Sequence, residues 1–215
     1  IQKNIEYYET ILPGLKNGLN TLRQLPSQEV GRYEFEGGFL MIQEGTSLIY
    51  PLSTMGAHVS DCPNHAVGRV TPFETRGHVA LAGTFGYELD VTKIPEEDRK
   101  MIPEQTKMYH KYHELVREGD YYRIASYREN HLYDCWAVAS KDRSEVLVTY
   151  VHVLSTPNAH SRRIFLQGFD PEAVYALEGT EEKYTGEMLM KCGFLVKGFW
   201  GDFKSKLYHF VKVTE

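Results

Sequence analysis

The 215-residue sequence predicts an α/β portion followed by an all-β portion, with the change near Gly119. Three observations predict it. An apolar stripe over residues 4–24 and an acidic-headed stretch over 96–118 have helical spacing. Short apolar runs between them read as strands. After Gly119 the helical stripes stop, and "DYYRIASY", "HLYDCWAVAS", "EVLVTYVHVL", "RRIFLQGF", "AVYALEG" and "KLYHFVKVT" follow, rich in β-branched and aromatic residues. Turn signals such as "KDRSE", "TPNAHS" and "DPE" separate them at the spacing of an antiparallel β-sandwich. The domain reading is therefore 1–118 and 119–215.

Taken in order, Ile5, Tyr8, Ile11, Leu12, Leu15, Leu19 and Leu22 fall three or four apart, the stripe of an amphipathic helix kinked at Pro13 and Gly14. Residues 26–46 carry little periodicity, and "GRYEFEGG" reads as a loop or short hairpin. "TSLIYPLS" is an apolar run of the kind a strand buried on both faces needs, and the polar "MGAHVSDCPNH" after it reads as a loop. "TPFETRGHVALAG" sets Pro72 behind Thr71 as a possible N-cap and offers Phe73, Val79 and Leu81 as the apolar face of a short helix or turn. "GTFGYELD" is a second strand. Pro95 then precedes Glu96, Glu97 and Asp98, an acidic first turn that suits the helix dipole, and this helix stops at Gly119. Two clear strands in about 118 residues are too few for a complete (β/α)8 barrel, which takes ~250 residues, but fit the end of one.

Composition narrows the function. Apolar residues make up 42% and charged residues 25%, and no apolar run approaches the roughly 20 residues of a membrane span, so no membrane partner is expected. A net charge of −5 and a pI near 6.0 argue against a nucleic-acid partner, which draws on clustered Lys and Arg. Cys62, Cys135 and Cys192 are odd in number and far apart, the usage of reduced thiols in a cytoplasm. "IQKNIEYYET" shows neither the charged nor the apolar region of a secretion signal.

The densest cluster of chemistry is His58, Asp61, Cys62 and His65. These are zinc-type ligands, but their spacing matches neither common Cys nor His arrangement, so no metal is expected. Glu34 and Glu36, flanked by glycines, read as a solvated edge rather than an acid/base pair. Trp136 and Trp200 are either sugar-stacking platforms or core, and their strand-like setting favours core. Cys135 and Cys192 sit in apolar surroundings and read as small buried hydrophobes.

From Gly45 to Phe210 the sequence closely resembles the retaining α-galactosidases of glycoside hydrolase family 36, carried by "GTSLIYPLSTMGAHVSDCPNHAVGRVTPFETRGHVALAGTFGYELD", by "GDYYRI" and by the later "CWAVASKDRSEVLVTYVHVLSTPNA" and "GEMLMKCGFLVKGFWGDFKSKLYHF". The resemblance implies the C-terminal portion of a (β/α)8 barrel plus a C-terminal antiparallel β-sandwich. It implies hydrolysis of terminal α-galactosyl residues of raffinose-type oligosaccharides with retention, no cofactor or metal, a cytoplasmic location and a homo-oligomer. It makes the 55–65 stretch a loop on the barrel's C-terminal face, with His58 a hydrogen-bonding residue near the substrate and Asn64 a loop-fixing amide. A purely structural His58 fits equally well. Arg32 matches the arginine of the family's Gly-rich turn and is a candidate for contacting sugar hydroxyls or a catalytic carboxylate, with a surface ion pair as the alternative.

Retention needs a carboxylate nucleophile and a carboxylic acid about 5–5.5 Å apart. The Lys-Trp-Asp and Trp-x-Ser-Asp segments that supply them in the family do not occur in these 215 residues. Together with a first residue that is not Met, this leads us to expect a fragment or internally shortened form that assigns none of its own residues to catalysis and has no turnover alone. The rival reading from another class is a non-catalytic carbohydrate-binding or subunit-interaction module.

Overall fold

The computed structural model describes residues 38–65, 68–158 and 161–214. The 4–24 stripe and the Gly-rich turn with Arg32, Glu34 and Glu36 lie outside the described residues.

The first helix, α1 (Gly38–Ser47), occupies a stretch with no clear periodicity in the sequence. The strand expected over "TSLIYPLS" does not form. Leu48, Ile49 and Tyr50 are a solvent-exposed turn, and Pro51 caps a single 3₁₀ turn, Leu52–Thr54. The strand is instead β1 (Gly56–Ser60), inside the stretch expected to be a loop. It alternates. Ala57 and Val59 are buried against Phe73, Ala80 and Ile94, which turns His58 and Ser60 to the other face. Short polar side chains on that face hid the strand from an apolar-run criterion.

Helix α2 (Phe73–Ala80) and strand β2 (Thr84–Glu88) follow, β2 running parallel to β1 with His58 opposite Gly86 and Ser60 opposite Glu88. Together they form one βαβ unit. Pro72, not Thr71, holds the N-cap position of α2, because the Thr71 carbonyl is taken by side-chain donors. Helix α3 (Glu96–Glu118) starts where expected and buries Gln105, Tyr112, Leu115 and Val116, the spacing of one helical face. Between α2 and α3 the close approach is made by Gly77, where a Cβ would lie 2.3 Å from the Gln105 side-chain nitrogen.

Beyond Gly119 the chain is antiparallel sheet. Strands β3 (Asp120–Ala125), β4 (Tyr133–Ala139), β5 (Glu145–His152), β7 (Val174–Leu177), β8 (Lys183–Thr185) and β10 (Lys204–Lys212) make a six-stranded sheet in the order β3-β4-β5-β10-β7-β8. Strands β6 (Ser161–Ile164) and β9 (Phe194–Lys197) pair separately and close the sandwich over a core centred on Tyr150, Phe169, Tyr175 and Phe210. Two short helical pieces interrupt the strands: α4 (Tyr127–Asn130), capped by the Ser126 hydroxyl, and a π-helical turn at Met188–Cys192. That turn places Cys192 on the surface, contrary to the buried position expected. Trp136 is core, whereas Trp200 is 89% exposed.

Strands β4 and β5 are buried on both faces. Ala137, Val146 and Val148 point into the sandwich, while Val138 and Leu147 pack on Leu52, Met55, Leu81, Tyr112, Leu115 and Val116. At one edge of this seam His209, 8% exposed, sits between two carboxylates, its Nδ1 2.9 Å from Glu178 and its Nε2 2.9 Å from Glu145. Lys111 of α3 also reaches Glu178, at 2.5 Å.

Lys111 first and His209 second hold the Glu178 carboxyl down at about 2, below the ordinary 4.5. A depressed carboxylate adds stability that is present above about 4.5 and lost as the pH falls toward 2. Because Glu178 is half exposed, the contribution is discounted to about 1 kcal/mol. Glu178→Gln should therefore be less stable to urea by about that amount at pH 7, with the gap shrinking as the pH falls from about 4.5 toward 2; an unchanged gap across that range contradicts the assignment.

Candidate functional site

A cleft of about 90 Å³ opens where the C-terminal end of β1 meets the sandwich. His58, Ser60, Asp61 and Cys62 form one wall, Gln43 of α1 and Thr75 and Arg76 of α2 another, and Val151, Val153 and Phe203 of the sandwich the third. The setting is mixed, with apolar surface beside convergent polar groups, as carbohydrate sites and other small-molecule sites require.

His58 lies on β1, not in the loop. Its imidazole leans diagonally across to Glu88, two residues past the opposing Gly86, and Nε2 lies 2.7 Å from the carboxylate. Both side chains reach solvent, Glu88 more so. The loop after β1 begins at Asp61, whose carboxylate accepts the Cys62 amide at 2.9 Å. Asn64 is buried, its amide donating to the Arg69 carbonyl at 3.0 Å and its carbonyl accepting from Gly68 at 2.8 Å. Gly68 has φ +68, a conformation that side chains resist. These two backbone bonds close the turn over residues 64–69 and hold Asn64 in place.

What holds this loop is Arg76, which the sequence reading did not single out. Its guanidinium is nearly buried and donates from Nη1 to the Ser60 carbonyl at 2.5 Å, from Nε to the Thr71 carbonyl at 3.1 Å and from Nη2 to Asp98 at 3.3 Å. It also lies 5.0 Å from the Phe73 ring centre. One planar fork therefore ties both ends of the 61–71 loop to α2 and α3. The "TPFETRG" segment was legible as a helix start, but which residue reached across to β1 was not.

The sandwich wall is fixed by a chain of hydroxyls. Thr75 Oγ1 donates to the Phe203 carbonyl at 2.8 Å, Ser205 Oγ donates to Thr75 Oγ1 at 3.0 Å, and His78 Nδ1 lies 2.8 Å from Ser205 Oγ. With both hydroxyl protons committed, His78 donates from Nδ1, which sets its tautomer. Burial pushes its pKa down to about 4, so it is neutral at pH 7. Phe203 is held in turn under Arg69, 5.2 Å from the ring centre.

Of the four zinc-type residues, His58 turns to Glu88 and Asp61 and Cys62 bond within the loop, and no group of three such residues is arranged for a metal among the described residues. Of the expected set, Arg32 lies outside the described residues, His58 lines the cleft, and Asn64 is buried in the loop that follows β1.

Residues 38–119 match the Melibiase family, and residues 133–210 match the glycosyl hydrolase family 36 C-terminal domain. The chain belongs to glycoside hydrolase family 36. It is 44% identical over 176 residues to the α-galactosidase AgaA of Geobacillus stearothermophilus, covering 82% of this chain and 24% of that one. An α-galactosidase of Lactobacillus acidophilus is 40% identical over 81% of this chain and 24% of its own length. A crystal structure of AgaA with raffinose superposes with a TM-score of 0.79 at 43% identity, covering 83% of this chain and 24% of that one. The galactosidase domain of the sucrose kinase fusion AgaSK gives 0.79 at 38%, covering 83% and 25%. The chain thus spans about a quarter of the length of these family members and matches their C-terminal part.

Replacing Arg76 with Met should cost about 3 kcal/mol, the scale of breaking a buried ion pair. Hydrogen exchange at Asn64 and Gly68 should accelerate ahead of β5. Equal acceleration in both places would mean that Arg76 is not the loop's clamp.

Proposed function

We propose that this chain serves a retaining α-galactosidase acting on raffinose-type oligosaccharides, supplying the cleft wall and the sandwich rather than the reacting carboxylates. The observation that carries it is the cleft at the C-terminal end of β1, with His58 paired to Glu88 and the Arg76-clamped loop beside it, in a chain of this family. The C-terminal end of parallel strands is where barrel enzymes build their sites. In this reading His58, steadied by Glu88, offers a ring nitrogen to a sugar hydroxyl, Asn64 keeps the loop in shape, and the apolar wall of Val151, Val153 and Phe203 excludes water. Raffinose and stachyose are bound by AgaA variants, which supports oligosaccharides of this class as the substrate.

Two further parts belong to the same reading. The three free cysteines favour a reducing cytoplasm. The exposed run Leu48, Ile49 and Tyr50 favours burial against a further protein surface, consistent with a homo-oligomer.

The chain alone should release no 4-nitrophenol from 4-nitrophenyl α-galactoside above a blank, yet bind 1-deoxygalactonojirimycin saturably, with the affinity falling roughly tenfold in His58→Ala. Turnover above the blank would place the reacting carboxyls within these residues; binding indifferent to His58→Ala would move the sugar away from β1.

A further inference from the structure

The loop between β9 and β10, residues 198–203, touches two separate clefts. At one end Phe199 lines a small opening in the sandwich with Tyr150, His152, Ser161, Arg162, Val196 and Lys197. At the other end Phe203 lines the cleft at β1. Between them stands Trp200, the most exposed large apolar side chain among the described residues.

The loop is built to hold that indole outward. Gly198 (φ +84), Gly201 (φ +82) and Phe203 (φ +53) all adopt left-handed backbone, and a non-glycine residue does so only when its surroundings over-determine it. Those surroundings are visible. Asp202 accepts the Ser155 amide at 2.7 Å, and Phe199 packs 5.1 Å from the Tyr150 ring and 5.4 Å from the His152 ring. The aromatic is thus presented on a pinned loop.

We propose that Trp200 is a stacking platform for a hexose ring, taking an outer unit of an oligosaccharide of three or more units whose terminal galactose occupies the cleft at β1; this rests on the function proposed above. A flat, apolar indole face matches the C–H side of a pyranose. Phe199 beside it packs on Tyr150 and His152, and its other near neighbours, Lys197, Gly198, Gly201 and Asp202, are polar or without a side chain, whereas a protein-docking tryptophan usually sits in an apolar patch centre. Three residues of backbone separate Trp200 from Phe203 in the cleft wall, at most about 11 Å of chain. Successive sugar units can span that reach.

The chain has only two tryptophans, and Trp136 is buried, so acrylamide quenching reads Trp200 selectively. Stachyose at saturation should shield the quenchable emission, whereas galactose should not. Trp200→Ala should weaken stachyose binding roughly 3- to 10-fold and leave galactose unchanged, with Trp200→Phe intermediate. Equal stachyose affinity in Trp200→Ala, or unshielded emission at saturation, overturns the platform while galactose binding keeps the cleft reading alive. Shielding by stachyose in a chain that binds no galactose supports the platform and sinks the cleft reading. Shielding that follows protein concentration without sugar makes Trp200 a contact between copies and overturns the proposal.

Discussion

The arrangement depends on a sheet with two dry faces. In most sandwiches one face of each sheet meets water, and its strands alternate apolar with polar residues. Strands β4 and β5 do not alternate, because Val138 and Leu147 are buried against α3 and the turn before β1 while Ala137, Val146 and Val148 fill the sandwich. Each fully buried Val or Leu contributes about 1.5–3 kcal/mol relative to exposure. The βαβ unit has two strands and a small core of its own around Val59 and Phe73. It gains its support from the outer face of the sandwich sheet.

The cleft inherits its shape from that support. Its floor is carried by β1, its loop by Arg76, and its far wall by Phe203, which belongs to the sandwich. The hydroxyl chain from His78 through Ser205 and Thr75 to the Phe203 carbonyl crosses the seam and couples the walls. A neutral His78 is part of that coupling. Acidification between about 6.5 and 4 protonates the unfolded chain first, so the seam loses stability as the pH falls through that window.

Much of this was legible in the sequence and some was not, for identifiable reasons. The acidic start and Gly119 stop of α3, β2, and the strong strands β4, β5 and β10 were readable because propensity and burial agree there. β1 was displaced because only Ala57 and Val59 of its five residues are apolar, while the neighbouring apolar run Leu48–Tyr50 is exposed. α1 was missed because its apolar residues have no clear helical period. β8 and β9 are three and four residues long, too short for a periodic signal. In the site, His58 stood out by residue type and lines the cleft, but Arg76, Glu88 and Phe203 act through long-range contacts that spacing does not encode. Trp200 was misplaced because a strand-like setting in sequence says nothing about a loop held outward by glycines.

The claim that the sheet's outer face supports the βαβ unit is tested most directly by native-state hydrogen exchange in increasing urea on Leu147→Ala. Amides of α3 near Tyr112–Val116 and amides of β5 should converge on one opening free energy and fall together by about 2–5 kcal/mol in the variant. If α3 keeps its own lower opening energy, unmoved by Leu147→Ala while β5 falls, the two portions stand independently and the shared face is not what supports the cleft.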